Sequence, residues 1–312
     1  MTTQREVYFN GEFVSEAEAR VSIFDSALMF GDMVFEMARS FGGQPFRVHH
    51  HLERLYAGLR VLEIDCGLTL DEMEAATMQT IEINRPCFPE GLDYQLMHNV
   101  SRGPLALYAS AFPGGLQPTV TISCWPLTWH LAGVAELYDT GIHAVITPQQ
   151  SVPTRYLDPK IKNRSRVYYQ LANIQAHQVD PNAWALLTSE DGFITEGTGS
   201  NFFVVKEGRL LTPRPHNILR GVTRQAVIEL AADLDLPCQE CDLDPYDVFG
   251  ADEAFFTATS FSIMPVTRFN GRLIKAGMPG PVTRRLIGAW SGMVGVDIVA
   301  QGKAYARVAQ EM

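Results

Sequence analysis

The sequence predicts an α+β protein of two domains, and three observations predict it. Strand and helix patterns occur together: Phe202 to Val205 reads as a buried strand, whereas Ala226, Val227, Leu230, Ala231 and Leu234 trace one helical face. With 312 residues, of which 46% are hydrophobic, the chain has material for one large or two medium domains with a substantial core. Pro126 to Val134 is polar and aromatic, follows a strand, and is the best linker candidate. We therefore expect an N-terminal domain at 1–126, an interdomain loop at 127–135 and a C-terminal domain at 136–312.

In chain order, Glu6 to Val14 reads as a hairpin turning at Asn10-Gly11. Val34 to Phe41 is a strand, and Gly42-Gly43 turns the chain back toward Pro45-Phe46-Arg47. Leu52, Leu55, Tyr56, Leu59 and Leu62 mark an amphipathic helix with Arg54 off its apolar stripe. Thr69-Leu70-Asp71-Glu72 is a capping box that opens a helix carrying Met73, Ala76 and Ile81. Tyr94 to Val100 and Thr119 to Cys124 read as strands. Between them, from Arg102 to Gln117, lies a loop rich in Gly, Pro, Ala and Ser, suited to moving over an active site.

In the second half, His143 to Thr147 reads as a strand. Val167, Leu171 and Ile174 recur at the spacing of one helical face. Ala183 to Ser189 and Phe193 to Thr195 pair around Asp191-Gly192, and Lys206-Glu207-Gly208 turns into Leu210 to Thr212. Asp242 to Val248 reads as a connecting segment, and Phe269-Asn270-Gly271-Arg272 as another Asn-Gly hairpin. Ile287, Trp290 and Met293 belong to a last helix. The tail from Gly302 is weakly patterned and is expected to fray.

A net charge of −10 and a pI of about 5.3 argue against nucleic acid or an anionic membrane as the main partner. No apolar run reaches membrane-spanning length, and the start MTTQREVYFNGEF has no secretory h-region. Five cysteines, an odd number without a secretion signal, fit free thiols in a reducing compartment, so a cytoplasmic location is expected. Cys238 and Cys241 form a C-x-x-C, but a structural zinc would want a second such pair and none exists. We read them as inert thiols near a strand. Adjacent His49, His50 and His51 point in different directions from one helix, so they read as polar helix-start residues and no metal site is expected.

Chemistry enters at PKIKNRSRVYYQLANIQA, where Lys160 and Lys162 precede a helix. A lysine is usually a solvated surface residue, so its context decides. About thirty residues downstream, Glu196 sits in a Gly-rich turn before a strand. Gly221 then opens a helix whose first residues are Val222 and Thr223, and a later apolar strand ends in Thr257, Thr259 and Ser260. These are the parts needed to hold pyridoxal phosphate. The lysine makes the Schiff base, the carboxylate pairs with the protonated pyridine nitrogen, and the helix start and hydroxyls take the phosphate.

At these residues the chain resembles the class IV, fold-type IV pyridoxal-phosphate aminotransferases. That family includes branched-chain and D-amino acid aminotransferases, (R)-selective amine transaminases and aminodeoxychorismate lyase. The resemblance runs from about Val7 to about Leu286. It rests on FGDMVFE (Phe30 to Glu36), HHHLERLYAGLRVL (His49 to Leu62), the lysine segment, TEGTGSN, GVTR and TATSFSIMPV, in the family's order. It implies an N-terminal α/β sandwich, a C-terminal pseudo-barrel of strands with surrounding helices, and a homodimer with shared active sites. Lys162, directly before the small polar residue and the helix, is the residue it assigns to the cofactor. Arg54, in the family's H-x-x-R-L segment, is implied as a phosphate ligand with Val222, Thr223 and Thr259, and Glu196 as the partner of the ring nitrogen.

Phe35, Arg39, Tyr94, Arg102 and Ser260 are the residues expected to contact substrate. The branched-chain members carry V-F-E-G-x-R, and here Val34-Phe35-Glu36-Met37-Ala38-Arg39 has Met37 in place of the glycine. D-amino acid members have tyrosine at the Phe35 place and a P-R-x-H element, whereas Pro104 to Ser110 holds neither Arg nor His. Arg39 and Arg102 are the candidate carboxylate binders, and Arg102 reads equally as a turn residue. The resemblance thus implies transfer of an amino group between a hydrophobic, branched-chain type amino donor and a 2-oxo acid acceptor. A D-amino acid or (R)-amine transaminase and an aminodeoxychorismate lyase are the alternatives.

Overall fold

The computed structural model describes residues 4–311, in two units. The first runs to Trp129 and takes in Ile161–Ser165; the second comprises His130–Lys160 and the chain from Arg166 onward.

The first unit begins with β1 (Glu6–Phe9) and β2 (Glu12–Ser15), joined by Asn10 and Gly11 at φ of 48° and 97°. After α1 (Ser26–Phe30) come β3 (Met33–Phe41), β4 (Gln44–Pro45), α2 (Val48–Val61), α3 (Leu70–Asn84), β5 (Tyr94–Ser101) and β6 (Thr119–Pro126). The strands form one antiparallel sheet in the order β2-β1-β6-β5-β3-β4. Because side chains alternate along a strand, one phase of the sheet supplies Val34, Ala38, Leu96, Val100, Val120 and Ile122 to the core. They pack on Leu52, Leu55 and Leu59 of α2 and Met73 and Ile81 of α3. Burying each such leucine is worth about 1.5–3 kcal/mol. The opposite phase of β3 carries Phe35, Met37 and Arg39. Thr69 and Glu72 cap α3 reciprocally, each side chain on the other's backbone N–H. The Gly- and Pro-rich loop after β5 contains a 3₁₀ turn, Ala106–Ala111, held where Tyr108 meets Phe24 at a ring-centroid distance of 4.7 Å.

Residues 127–135 are helical rather than a loop: α4 (Thr128–Leu131) runs into a 3₁₀ turn, Ala132–Val134, and Leu127 and Leu131 are buried. The second unit continues with α5 (Leu137–Thr140), β7 (Ile142–Ile146), α6 (Val167–Val179), β8 (Trp184–Thr188), β9 (Ile194–Gly197), β10 (Asn201–Lys206) and β11 (Arg209–Pro213). There follow α7 (Val222–Asp233), β12 (Cys238–Cys241), α8 (Pro245–Phe249), β13 (Glu253–Ala258), β14 (Ser262–Phe269), β15 (Arg272–Leu273), α9 (Pro281–Val294) and α10 (Ile298–Glu311). The strands make one nine-stranded sheet in the order β12-β11-β10-β13-β14-β7-β8-β9, with β15 on β14. Its far edge curls back, since β9 also packs on β10 and β11, so the sheet is a half-barrel. Phe203 and Phe255, on neighbouring strands, stack at 4.9 Å.

Three sequence expectations change here. Val167, Leu171 and Ile174, read as the inward stripe of α6, are 74%, 46% and 47% exposed. The buried stripe is Tyr169, Ala172 and Ala176, against Val145, Ala185 and Leu187. Small alanines let the helix lie close on the sheet, and that closeness excludes the larger aliphatics. Asp242 to Val248 is not merely connecting: Asp244 and Asp247 form a capping box for α8. The tail from Gly302 is helical to Glu311, anchored by buried Ile298 and Tyr305, and at Gly302 a Cβ would come 3.1 Å from the Tyr138 ring. Cys238 and Cys241 are free and three residues apart on β12, so they point to opposite faces, and burial pushes both thiols up.

Candidate active site

In the first unit the lysine segment is fastened to β3. The Phe35 N–H donates to the Lys162 carbonyl at 2.8 Å, and Asn163 bridges Val34. Asn163 Nδ2 donates to the Ile161 carbonyl (3.0 Å), its Oδ1 accepts from the Ser165 N–H (2.9 Å), and Ser165 Oγ donates to the Phe30 carbonyl (2.9 Å). Gly31 makes room for this: at φ 68°, a Cβ would stand 2.6 Å from Ser165 Oγ. The result is a half-buried Lys162 whose Nζ lies 4.9 Å from the centroid of the Phe35 ring. Lys160 is engaged elsewhere, its Nζ on Asp158 (2.8 Å) and the His216 carbonyl (3.2 Å).

Beneath β3, on the helix-covered side, lies a buried polar group. Glu36 is fully buried; Arg54 donates to it through Nε (2.6 Å) and Nη2 (2.8 Å), and His51 Nδ1 lies at 2.8 Å. Burial alone would push the Glu36 carboxyl up, but the Arg54 guanidinium and the His51 hydrogen bond outweigh it and hold it far below the usual carboxylate range. Burial pushes His51 down, against the pull of Glu36. His98, opposite Glu36 in register, is pushed down by burial to about 4. Thr77 Oγ1 donates to the Met73 carbonyl, so it accepts from His98 Nε2 at 2.7 Å, which fixes the tautomer.

The second unit builds around Glu196 on β9. Its Oε1 accepts from the Tyr169 hydroxyl (2.9 Å), and its Oε2 from Asn201 Nδ2 (3.2 Å) and the Leu219 N–H (3.0 Å). Acceptance on both oxygens is the arrangement an ionised carboxylate takes. Burial, and next the Glu196 charge, push the Tyr169 phenol well up, so it remains a donor. Asn201 spends the same amide on the Leu219 carbonyl (2.9 Å) and presses on Gly221, where a Cβ would collide with its Oδ1. Gly221 caps α7 without a side chain, so the first N–H groups of Val222 and Thr223 sit at an uncapped helix start. Further along the chain, Thr259 and Ser260 are half-buried in the turn between β13 and β14, and buried Thr257 Oγ1 has no hydrogen-bond partner among the described residues.

Other expected substrate residues are placed differently. Arg39 is buried, its Nε on the Ser40 carbonyl (3.0 Å), its Nη2 3.9 Å from Asp93 and its guanidinium 3.8 Å over Phe41. Tyr94 is a core residue whose hydroxyl donates to the Gly43 carbonyl at 3.1 Å. Arg102 holds Asp32 (2.8 Å) and the Leu62 and Glu63 carbonyls (2.7 and 3.0 Å), which closes the end of α2. Glu36, His51, Tyr169 and Asn201 escaped the sequence reading. Glu36 carried a signal, since an acid between Val34 and Ala38 in strand phase must point into the core.

Half-barrel, pinned lysine and triply held carboxylate define the class, and the comparisons agree. Residues 33–269 match the family described as amino-transferase class IV. The chain is 35% identical over 282 residues to a putative branched-chain-amino-acid aminotransferase of Methanocaldococcus jannaschii, covering 90% of this chain and 93% of the relative. It is 29% identical to the D-alanine aminotransferase of Bacillus licheniformis, covering 90% and 94%. The branched-chain amino acid aminotransferase of Escherichia coli superposes with a TM-score of 0.83 at 26% identity, over 94% of this chain and 95% of that one. A further branched-chain amino acid aminotransferase in the same structural class was solved with pyridoxamine 5′-phosphate. The chain belongs to the class IV aminotransferase family, and it is an enzyme that transfers amino groups.

Proposed function

We propose that the chain is a pyridoxal-phosphate-dependent transaminase moving an amino group between a hydrophobic, branched-chain type amino acid and a 2-oxo acid. The observation that carries this is Lys162, fastened by its backbone to β3 with its amine over Phe35, in a chain with a branched-chain aminotransferase relative at 35% identity. The residues fit the cofactor. An uncapped helix start, a glycine that a Cβ could not replace and the orphaned Thr257 hydroxyl suit a phosphate, while buried Glu196 suits a protonated ring nitrogen. Lys162 would hold it covalently, Glu196 would face the nitrogen, and Arg54, Val222, Thr223 and Thr259 would take the phosphate. When bound, the cofactor supplies an electron sink for the substrate carbon.

Freed by the incoming amine, Lys162 would be the base that takes the proton from that substrate carbon and passes it to the cofactor carbon it had been bonded to. Glu36 keeps Arg54 pointed, Tyr169 and Asn201 keep Glu196 in place, and Phe35 and Ser260 border the substrate. Arg39, Tyr94 and Arg102 support the fold. The D-alanine aminotransferase relative keeps D-amino acids as a second reading. Exposed Ile23, Leu28 and Phe30 (72%, 68% and 65%) support a homodimer, which sedimentation would test. The activity test is the absorbance of the protein with pyridoxal phosphate. A visible band that bleaches with L-leucine is expected, bleaching by D-alanine alone selects the second reading, and no band sinks both.

A further inference from the structure

Five first-unit arginines are held by carboxylates: Arg5 by Glu16, Arg39 by Asp93, Arg54 by Glu36, Arg85 by Glu82 and Arg102 by Asp32. Arg164 follows Lys162 by two residues. Its guanidinium carbon lies 3.7 Å from the centroid of the same Phe35 ring that carries the Lys162 amine at 4.9 Å. Nη2 also reaches Asn99 Oδ1 (3.2 Å) and Met97 Sδ (2.9 Å). Phe35 pairs with Asn99 and Met37 with Met97, so Arg164 spreads over the face of β3 and β5 that looks away from the helices. Its backbone is fixed on both sides, by Asn163 bridging Val34 and by Ser165 bonded to Phe30. Arg164 is nevertheless exposed.

An amino acid or 2-oxo acid reacts at the carbon that bears its carboxylate. Wherever the Lys162 amine meets that carbon, a carboxylate has to be accommodated within a few bonds. The Arg164 guanidinium and the Lys162 amine, both set against the Phe35 ring, are less than about 9 Å apart, and the planar fork of the guanidinium matches carboxylate oxygens two at a time. Stacking on Phe35 also holds the long side chain in place beforehand, which lowers the entropy lost when a ligand binds. We propose that Arg164 binds a substrate carboxylate, the role that the buried or structurally engaged Arg39 and Arg102 are not placed to fill. This rests on the transaminase reading, since it takes Lys162 as the reacting amine.

The test is calorimetric titration of the pyridoxal-phosphate-loaded protein with two unreactive acids, 4-methylpentanoate and glutarate. Wild type, Arg164→Gln and Arg164→Lys are compared. Arg164→Gln is expected to weaken binding by about tenfold to a hundredfold, the loss of charge-assisted hydrogen bonds, with Arg164→Lys between it and wild type. Weakening with both acids assigns the carboxylate next to the reacting carbon; weakening with glutarate alone assigns a distal one. If Arg164→Gln keeps the visible cofactor band and binds both acids as tightly as wild type, or if wild type binds neither, the inference fails and the transaminase reading stands. If wild type shows no band, that reading fails and this inference with it.

Discussion

Glu36 shows how a single buried charge is made tolerable and then useful. It sits in the core phase of β3, where an unpaired carboxylate would be expelled or protonated. Arg54 and His51 make it an ion pair with hydrogen bonds on both oxygens. Breaking such a pair from one side costs about 3–5 kcal/mol, so Glu36→Gln should lower denaturation stability by that order. On the proposed role of Arg54 as a phosphate ligand, it should also weaken pyridoxal phosphate binding in an equilibrium titration, because Arg54 loses the carboxylate that holds its fork. Glu36 is depressed in the native state, so its stabilisation is complete above the ordinary carboxylate value and declines as pH falls below about 4.3. Urea titrations should show that acid limb in wild type and a shallower one in the variant. His98 acts in the next window. Its native value of about 4 lies below the ordinary 6.5, so the unfolded chain binds the extra proton and stability falls as pH drops from 6.5 toward 4. The loss reaches about 3 kcal/mol at the lower end. His98→Gln should flatten that limb, and an unchanged slope would remove His98 from the account.

At the scale of elements, α6 decides where the second unit's carboxylate is supported. Its small-residue stripe presses Tyr169 inward to Glu196 and leaves the aliphatic stripe outside. Both stripes have helical spacing, so periodicity showed that a helix exists and could not choose its face. The larger residues drew the reading outward. Two substitutions separate the faces. Ala172→Leu overpacks the sheet contact and should cost about 1–3 kcal/mol, whereas Leu171→Gln on the exposed stripe should stay within about 0.5 kcal/mol. Equal losses in chemical denaturation would contradict the assignment of the buried face. Tyr169→Phe keeps the packing and removes one donor from Glu196. It should cost about 1–2 kcal/mol and shift the cofactor's absorbance, since Glu196, the proposed partner of the ring nitrogen, loses support.

For the whole molecule, legibility followed the range of the interaction. Asn-Gly turns, the Thr69 capping box and the strand–helix alternation are local, and all are present in the structure. The order of lysine, carboxylate and helix start was legible for the same reason. What Arg102 holds was not, because Asp32 lies 70 residues away and only the pairing of β3 with β5 brings them together. Arg39 with Asp93 and Tyr94 with Gly43 are hidden in the same way. A ligand that binds only the native chain adds the whole of its binding to stability. At a hundredfold excess over its dissociation constant that is about 2.7 kcal/mol, or several degrees in thermal midpoint. Scanning calorimetry with and without pyridoxal phosphate should show this rise in wild type. Arg54→Gln and Thr223→Val should each reduce it, although neither touches the covalent bond. Lys162→Ala should retain a fraction, because the proposed phosphate and ring-nitrogen partners remain. A rise that survives Arg54→Gln and Thr223→Val undiminished would mean that the phosphate is held elsewhere.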